Sequence, residues 1–441
     1  MSKQTALRLA AAATALAVAS LGMTACSSGN SSDDSSSSSS SSSKSETITY
    51  MHRLPDGDSM TKVNDIVAKW NKDHPDKQVK ATKFDGKADE MIKKLETDIK
   101  AKNGPCLAQL GYAEVPEMYT KGLTEDVTKY ADKYKDHYGS SFDLMKVGDK
   151  QVGIPQDVGP LVYMYNKDEF QKLGIEVPKT MDELAAAAKK AQASGKYAVA
   201  FEPDEAQNWL SAQAAAAGDT WFSTEGDSWK VDTTGPGTEK VAKFWQDMLD
   251  SKAALTDERW GDGFKAAVND GKLIGTIAAA WEPALFVDDF GQNTNVNGKW
   301  AVAQLPKFGD EDATGPDGGS GLAVMKGCSD PEGATEFADW FNTQVDDLST
   351  QGLVLAANTK QAATPDKQKE FFGGQDIYAE FATAAKNMKP INYIPGFSAL
   401  NDPMSKAAAS AASGSGKVAD VFTQAQDAAQ KALKDAGLSV K

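Results

Sequence analysis

Thr47-Ile48-Thr49-Tyr50-Met51 opens a stretch, residues 47–112, in which the hydrophobic period changes from two to about 3.6 and back. Alternation predicts a strand over residues 47–51. Val63, Ile66, Val67 and Trp70 then fall at helical spacing, and His74-Pro75 ends that helix because proline disfavours a helical residue before it. Residues 78–84 read as a second strand. Met91, Leu95 and Ile99 form one face of a second helix, broken by Gly104-Pro105, and residues 106–112 form a third strand. Parallel strands need a crossover, so a βαβαβ run is the unit of an open, mostly parallel sheet. The fold class read from it is α/β, with open sheets flanked by helices.

Further along, Val147-Gly148-Asp149-Lys150-Gln151-Val152 reads as a hairpin, followed by Ile154-Pro155-Gln156-Asp157 and an apolar strand at residues 161–165. Thr180-x-x-Glu183 is a capping box opening an Ala-rich helix. Strands are expected at residues 197–201, 273–279 and 300–305, and Val241, Phe244, Trp245 and Met248 form a helical stripe. Residues 315–321 are a Gly/Pro/Asp-rich connection before a strand at 322–325, and the chain is mostly helical from Pro331. Gly414-Ser415-Gly416-Lys417 lacks the first glycine of a phosphate loop and reads as a break between two Ala-rich helices.

The N-terminus carries an address. Lys3 and Arg8 precede an apolar run ending at Met23, then Thr24-Ala25-Cys26 and a serine tract. A basic start, a short apolar core and small residues at the cut are the parts of an export signal, here residues 1–25. The run is shorter than the about 20 residues a membrane span needs. Cys26 after small residues resembles a bacterial lipobox, although Met23 departs from the usual Leu, and residues 26–46 resemble a tether. A coil of that length spans roughly 25 Å. The expected location is the extracellular face of a cell membrane, lipid-anchored at Cys26, in a bacterium of Gram-positive type.

About 395 residues beyond the tether exceed one comfortable core, so two domains are expected. The chain of 441 residues has a formal charge of −15. Beyond Arg8 it contains only Arg53 and Arg259. An acidic chain so poor in arginine does not seek phosphate backbones, so no nucleic-acid partner is expected. His52, His74 and His137 show no metal-ligand spacing, G-x-S-x-G is missing, and neither a metal nor a cofactor is expected. Cys106 and Cys328 are an even pair outside the cell, which by counting alone leaves a disulfide open.

Several segments in order are similar to family 1 extracellular solute-binding proteins of ABC importers, the maltose-binding-protein-like group. They are the lipobox, Ile48-Thr49-Tyr50, Val67-Ala68-Lys69-Trp70-Asn71, and Leu110-Gly111-Tyr112-Ala113-Glu114-Val115-Pro116. Gly153-Ile154-Pro155-Gln156-Asp157 with Tyr165-Asn166-Lys167, Gly271-Lys272-Leu273-Ile274-Gly275 leading to Trp281, and Gly318-Gly319-Ser320-Gly321-Leu322-Ala323-Val324 complete the set. The resemblance implies a two-lobed, periplasmic-binding-protein-like (type II) fold with a hinge of crossing segments. One lobe would hold residues 47–157 plus 321–372, the other 158–320 plus 373–441. On that topology the strand bearing Cys106 and the strand ending before Cys328 share a lobe, which favours a bridge.

The resemblance also implies a sugar site. Sugars offer apolar C–H faces to aromatic rings and hydroxyls to carboxylates and amides. The positions carried over are Tyr112 and Glu114 after the third strand, Asp157 at the first crossing, Asn208 and Trp209, Trp281 as stacking platform with Glu282, and Gly319 with Ser320. Arg53 and Asp56, beside His52 after the first strand, and the late aromatics Tyr393 and Phe397 join them. Trp70, Trp245 and Trp340 lie on helical stripes and read as core. The function implied is a non-enzymatic, monomeric receptor that closes on a di- to tetrasaccharide and delivers it to ABC permease subunits. The rival is a carbohydrate hydrolase using Asp157 and Glu282 as its carboxylate pair. A scaffold or adhesin would show repeats, and none is visible.

Overall fold

The computed structural model describes residues 47–441. The expected signal peptide 1–25, Cys26 and the tether 26–46 lie outside the described residues. The opening stretch forms β1 (Ile48–His52), α1 (Val63–Asp73), β2 (Val79–Lys83), α2 (Ala88–Lys100) and β3 (Leu107–Gly111). β1 pairs in parallel with β2 on one edge and β3 on the other. α1 buries Val63, Ile66, Val67 and Trp70, and α2 buries Met91, Ile92, Leu95 and Ile99, the stripes the spacing predicts. Each such side chain contributes about 1.5–3 kcal/mol of burial.

A short hairpin of β4 (Lys146–Val147) and β5 (Lys150–Gln151) precedes β6 (Gly153–Asn166), a strand of 14 residues. β7 (Phe222–Glu225) and β8 (Ser228–Val231) form a second hairpin. β9 (Gly275–Ala279), β10 (Trp300–Gln304), β11 (Pro316–Val324), β12 (Val354–Leu355) and β13 (Ser439–Val440) follow. β13 lies parallel to β8, so the C-terminus docks on that second hairpin.

β6 is the axis of the molecule. Residues 153–160 pair with β11, which pairs in turn with β3, whereas residues 161–166 lie between β9 and β10. One strand thus serves two half-sheets with different neighbours. The expected strand at 161–165 is corrected to this longer one, which runs through Pro155 and Pro160 although neither can donate a ladder bond. In the fold Pro160 stands opposite Pro316 and Pro155 opposite Gly321, each beside a register shift that absorbs the missing donor. The expected connection at 315–321 is likewise corrected: most of it is β11, bulged between Pro316 and Gly319. Residues 197–201 are buried and extended but make only isolated bridges, Tyr197 to Leu273 and Ala200 to Leu255, rather than a strand.

Thr180 caps its helix by accepting from the Glu183 N–H, while the Glu183 carboxylate takes the N–H of Lys179 instead of closing the box on Thr180. Three apolar clusters fill the body: one around Trp70, Phe337 and Phe341, one around Phe264, Phe286 and Trp300, and one around Trp209, Trp245 and Phe422. Cys106 and Cys328, 222 residues apart, form a disulfide with Cα atoms 4.4 Å apart. Closing so long a loop stabilises by about 5 kcal/mol in the chain-entropy picture. Among the described residues no helix is long and apolar enough to cross a membrane.

Candidate functional site

The ends of β1 and β3 and the middle of β6 and β11 surround a cavity of about 390 Å³. Its first wall is Arg53, Tyr112, Glu114, Asp157, Gly319 and Ser320, and its second is Asn208, Trp281, Leu285 and Tyr393. A larger cavity of about 670 Å³ adjoins it and shares Tyr112, Gly318 and Tyr393.

The first wall is a polar network. Ser320 Oγ donates to Asp157 Oδ1 at 2.6 Å and receives Gln109 Nε2 at 3.0 Å. The Arg53 N–H donates to Gln109 Oε1 at 2.8 Å, so one buried amide ties β1 to β11. Tyr112 donates its hydroxyl to the Asp157 carbonyl at 2.8 Å. Glu114 accepts from the Gly111 N–H at 2.8 Å and faces the Arg53 guanidinium at 3.4 Å. Burial pushes the Asp157 carboxyl up to about 6 against the pull of the Ser320 bonds, and pushes Glu114 up against the pull of Arg53. Gly319, at φ +93, must be glycine: a Cβ there would meet the Tyr112 ring at 2.9 Å.

The second wall is aromatic. The Trp281 indole N–H donates to the Asp317 carbonyl at 3.0 Å, which anchors the ring's edge to β11. Gly318 lets the two approach, since a Cβ would stand 3.2 Å from Trp281 Nε1. Arg259 lies 5.2 Å from the ring centroid and is itself outside the cavity. Its guanidinium is 1% exposed and meets Glu282 at 2.8 Å, Glu205 at 3.1 Å, Glu202 at 3.3 Å and Asp317 at 3.8 Å. Burial raises Glu202 and Glu282, and raises Asp317 to about 7, although Arg259 opposes it in all three.

Of the positions singled out in the sequence, Arg53, Tyr112, Glu114, Asp157, Asn208, Trp281, Gly319 and Ser320 line the cavity. Four do not. Asp56, at φ +53, spends its carboxylate on the Val63 N–H and the Gln351 amide, fixing the entry to α1. Trp209 is fully buried, donates to the Ile277 carbonyl and packs 4.7 Å from Trp245. Glu282 is fully buried, accepting from the Ala279 N–H and Arg259, so Asp157 and Glu282 are not a pair across the cleft. Phe397 is buried against Phe222, while its neighbour Tyr393, 5.0 Å away, lines both cavities. Gln109 and Arg259 had no signal in the sequence, because their partners come from distant segments. His52 is buried, which lowers its imidazole to about 4, and it stays out of the cavity. Among the described residues no cluster of three or more His, Cys, Asp or Glu could hold a metal ion.

A rigid polar wall facing an aromatic one across a cleft suits a neutral, hydroxyl-rich molecule with apolar faces. Comparison with known proteins places this geometry. The profile of the family described as bacterial extracellular solute-binding protein matches residues 55–345. A lactose-binding protein of Rhizobium radiobacter is 24% identical over 57% of the chain, and an arabinooligosaccharide-binding protein of Bacillus subtilis 24% over 62%. The chain spans only 61% and 64% of the lengths of these two relatives. The galacto-N-biose-/lacto-N-biose I-binding protein of the ABC transporter from Bifidobacterium longum, in complex with lacto-N-biose, is 56% identical at a TM-score of 0.87, over 90% of this chain and 99% of that one. A binding protein from B. animalis subsp. lactis in complex with beta-1,6-galactobiose shares the fold, with a TM-score of 0.75 at 23% identity. The fold is therefore the two-lobed α/β fold of sugar-binding proteins. The chain belongs to the bacterial extracellular solute-binding protein family.

Proposed function

We propose that this protein captures a short neutral oligosaccharide, foremost a galactosyl amino-sugar disaccharide such as lacto-N-biose, and delivers it unchanged to an ABC importer. The observation that carries the reading is the facing of Trp281 and Asp157 across one cavity in a chain 56% identical to a lacto-N-biose-binding protein. A cavity of about 390 Å³ falls in the range that encloses small ligands, about 300–1,000 Å³. Trp281 stacks on a sugar face, the Asp157 oxygen not used by Ser320 accepts a hydroxyl, and the Asn208 side chain on the cavity wall meets the N-acetyl group or a hydroxyl. Among the described residues the cation on this cavity's wall is Arg53, already paired with Glu114, which disfavours a carboxylated or phosphorylated ligand.

Residues 47–157 plus 321–372 form one lobe and 158–320 plus 373–441 the other, and they close about the middle of β6. The passage of β6 from one half-sheet to the other, between Pro160 and Leu161, falls close to that boundary. Lipidation at Cys26 holds the monomeric protein on the outer face of the membrane, beside its permease. The hydrolase reading loses its carboxylate pair, since Glu282 points into the protein.

A thermal-shift screen of the purified protein against lacto-N-biose, galacto-N-biose, lactose, beta-1,6-galactobiose and maltose tests the reading. The amino-sugar disaccharides should give the largest rise in Tm. Equal or greater stabilisation by maltose alone would overturn the ligand class. Release of monosaccharides during incubation would overturn the non-enzymatic role.

A further inference from the structure

Arg259 and its carboxylates are the least economical feature of the molecule. One cation, nearly devoid of solvent, is ringed by Glu202, Glu282 and Asp317, all buried, and by the partly exposed Glu205. Buried ion clusters gain little stability over apolar packing of the same volume, because desolvation consumes most of the attraction. Here the acids outnumber the base, and one oxygen each of Glu202, Glu282 and Asp317, with Arg259 Nε, has no hydrogen-bond partner. The cluster nevertheless has a fixed address. Its members come from residues 202–205, the loop before the helix Asp262–Asn269, the first turn of the helix Glu282–Phe290, and β11. All four segments meet behind one ring, Trp281, whose edge is bonded to the backbone of Asp317, itself a member of the cluster.

We infer that Arg259 is a positioning residue: clamped by carboxylates outside the cavity, its planar guanidinium backs the Trp281 ring and fixes the plane on which a sugar stacks. The ring is then held at its edge by the Asp317 carbonyl and on one face by Arg259, leaving the cavity side for ligand. A planar, rigid cation serves this purpose, and a flexible ammonium does not. The inference rests on the sugar-capture reading for its affinity arm only.

The test is a double-mutant cycle read by calorimetry with lacto-N-biose. Arg259→Lys keeps the charge but not the plane, and should weaken binding about tenfold. In a Trp281→Ala background the same substitution should change Kd by less than about twofold, since the ring it supports is gone. Glu205→Gln, which loosens the clamp at its exposed side, should cost about threefold and likewise lose its effect in that background. It keeps the test open should Arg259→Lys fail to fold. Equal losses in both backgrounds, or no loss from either substitution, would overturn the inference. A second arm needs no ligand. The intrinsic tryptophan emission of the sugar-free protein should change with Arg259→Lys, and that change should vanish in Trp281→Phe. If it persists there, the guanidinium is acting on another ring and the inference fails. If instead no sugar binds the wild type, the functional reading fails while the emission arm still decides the role of Arg259.

Discussion

The wall carried by β1, β3 and β6 presents carboxylates to the cavity, Asp157 secured by the Ser320 hydroxyl and Glu114 by a backbone N–H and Arg53. The wall carried by Trp281 and Tyr393 presents rings and keeps its carboxylates behind them. Both walls bury acids whose protons are held more tightly than usual, Asp157 at about 6 and Asp317 at about 7. Only the first can offer a carboxylate oxygen to a ligand. Charge at the surface of a site buys directional hydrogen bonds, whereas charge beneath an aromatic surface can act only through what it supports.

Removing the platform tests this contrast most severely. Trp281→Ala should lower affinity for lacto-N-biose at least about a hundredfold by calorimetry, the effect of truncating a central aromatic anchor. Asp157→Asn should cost about tenfold, the worth of a charged over a neutral acceptor. The sign for pH follows from the same group. Its pKa of about 6 means that sugar binding should weaken as pH falls from 7 to 5, and a calorimetric pH series should flatten in Asp157→Asn.

On the second wall pH should act on stability instead. Burial holds the Asp317 carboxyl at about 7 in the folded state, above the ordinary carboxyl value of 3.8, so the folded state binds the extra proton. Its contribution is most favourable below the unfolded pKa and is lost as pH rises towards and through 7. Asp317→Asn should therefore raise Tm by a few degrees at pH 8 and leave it nearly unchanged near pH 4, as differential scanning calorimetry will measure. The smallest effect on binding is expected outside both walls. Asp56→Ala should leave Kd unchanged while lowering stability by about 1 kcal/mol in urea unfolding, because its oxygen receives the first N–H of α1.

The sequence was most legible where period alone decides structure. β1, α1, β2, α2 and β3 all stand where alternation and helical stripes put them. β6 and β11 were harder, since the same prolines and glycines that mark loops here mark register shifts in a strand shared by two half-sheets. Within the site, Tyr112 and Glu114 were legible because they follow the end of β3, whereas Asp157, in mid-strand on β6, was reached through the family resemblance. Trp209 and Trp281 were not separable, both being indoles near helix starts. Only the tertiary fold turns one onto Trp245 and the other into the cavity. Glu282 shows the same limit, because one residue of helix rotates a side chain by about 100° and carries it from the cleft to Arg259. Arg259 itself is defined by partners at 202, 205, 282 and 317, a constellation no local pattern encodes.

The central claim, capture of a galactosyl amino-sugar disaccharide between these walls, is tested most directly by isothermal titration of the purified protein with lacto-N-biose, followed by recovery of the sugar. One-site saturable heat with the disaccharide recovered intact, and affinity lowered at least about a hundredfold in Trp281→Ala, is the result predicted. No heat with the wild type, or undiminished affinity in Trp281→Ala, would contradict it.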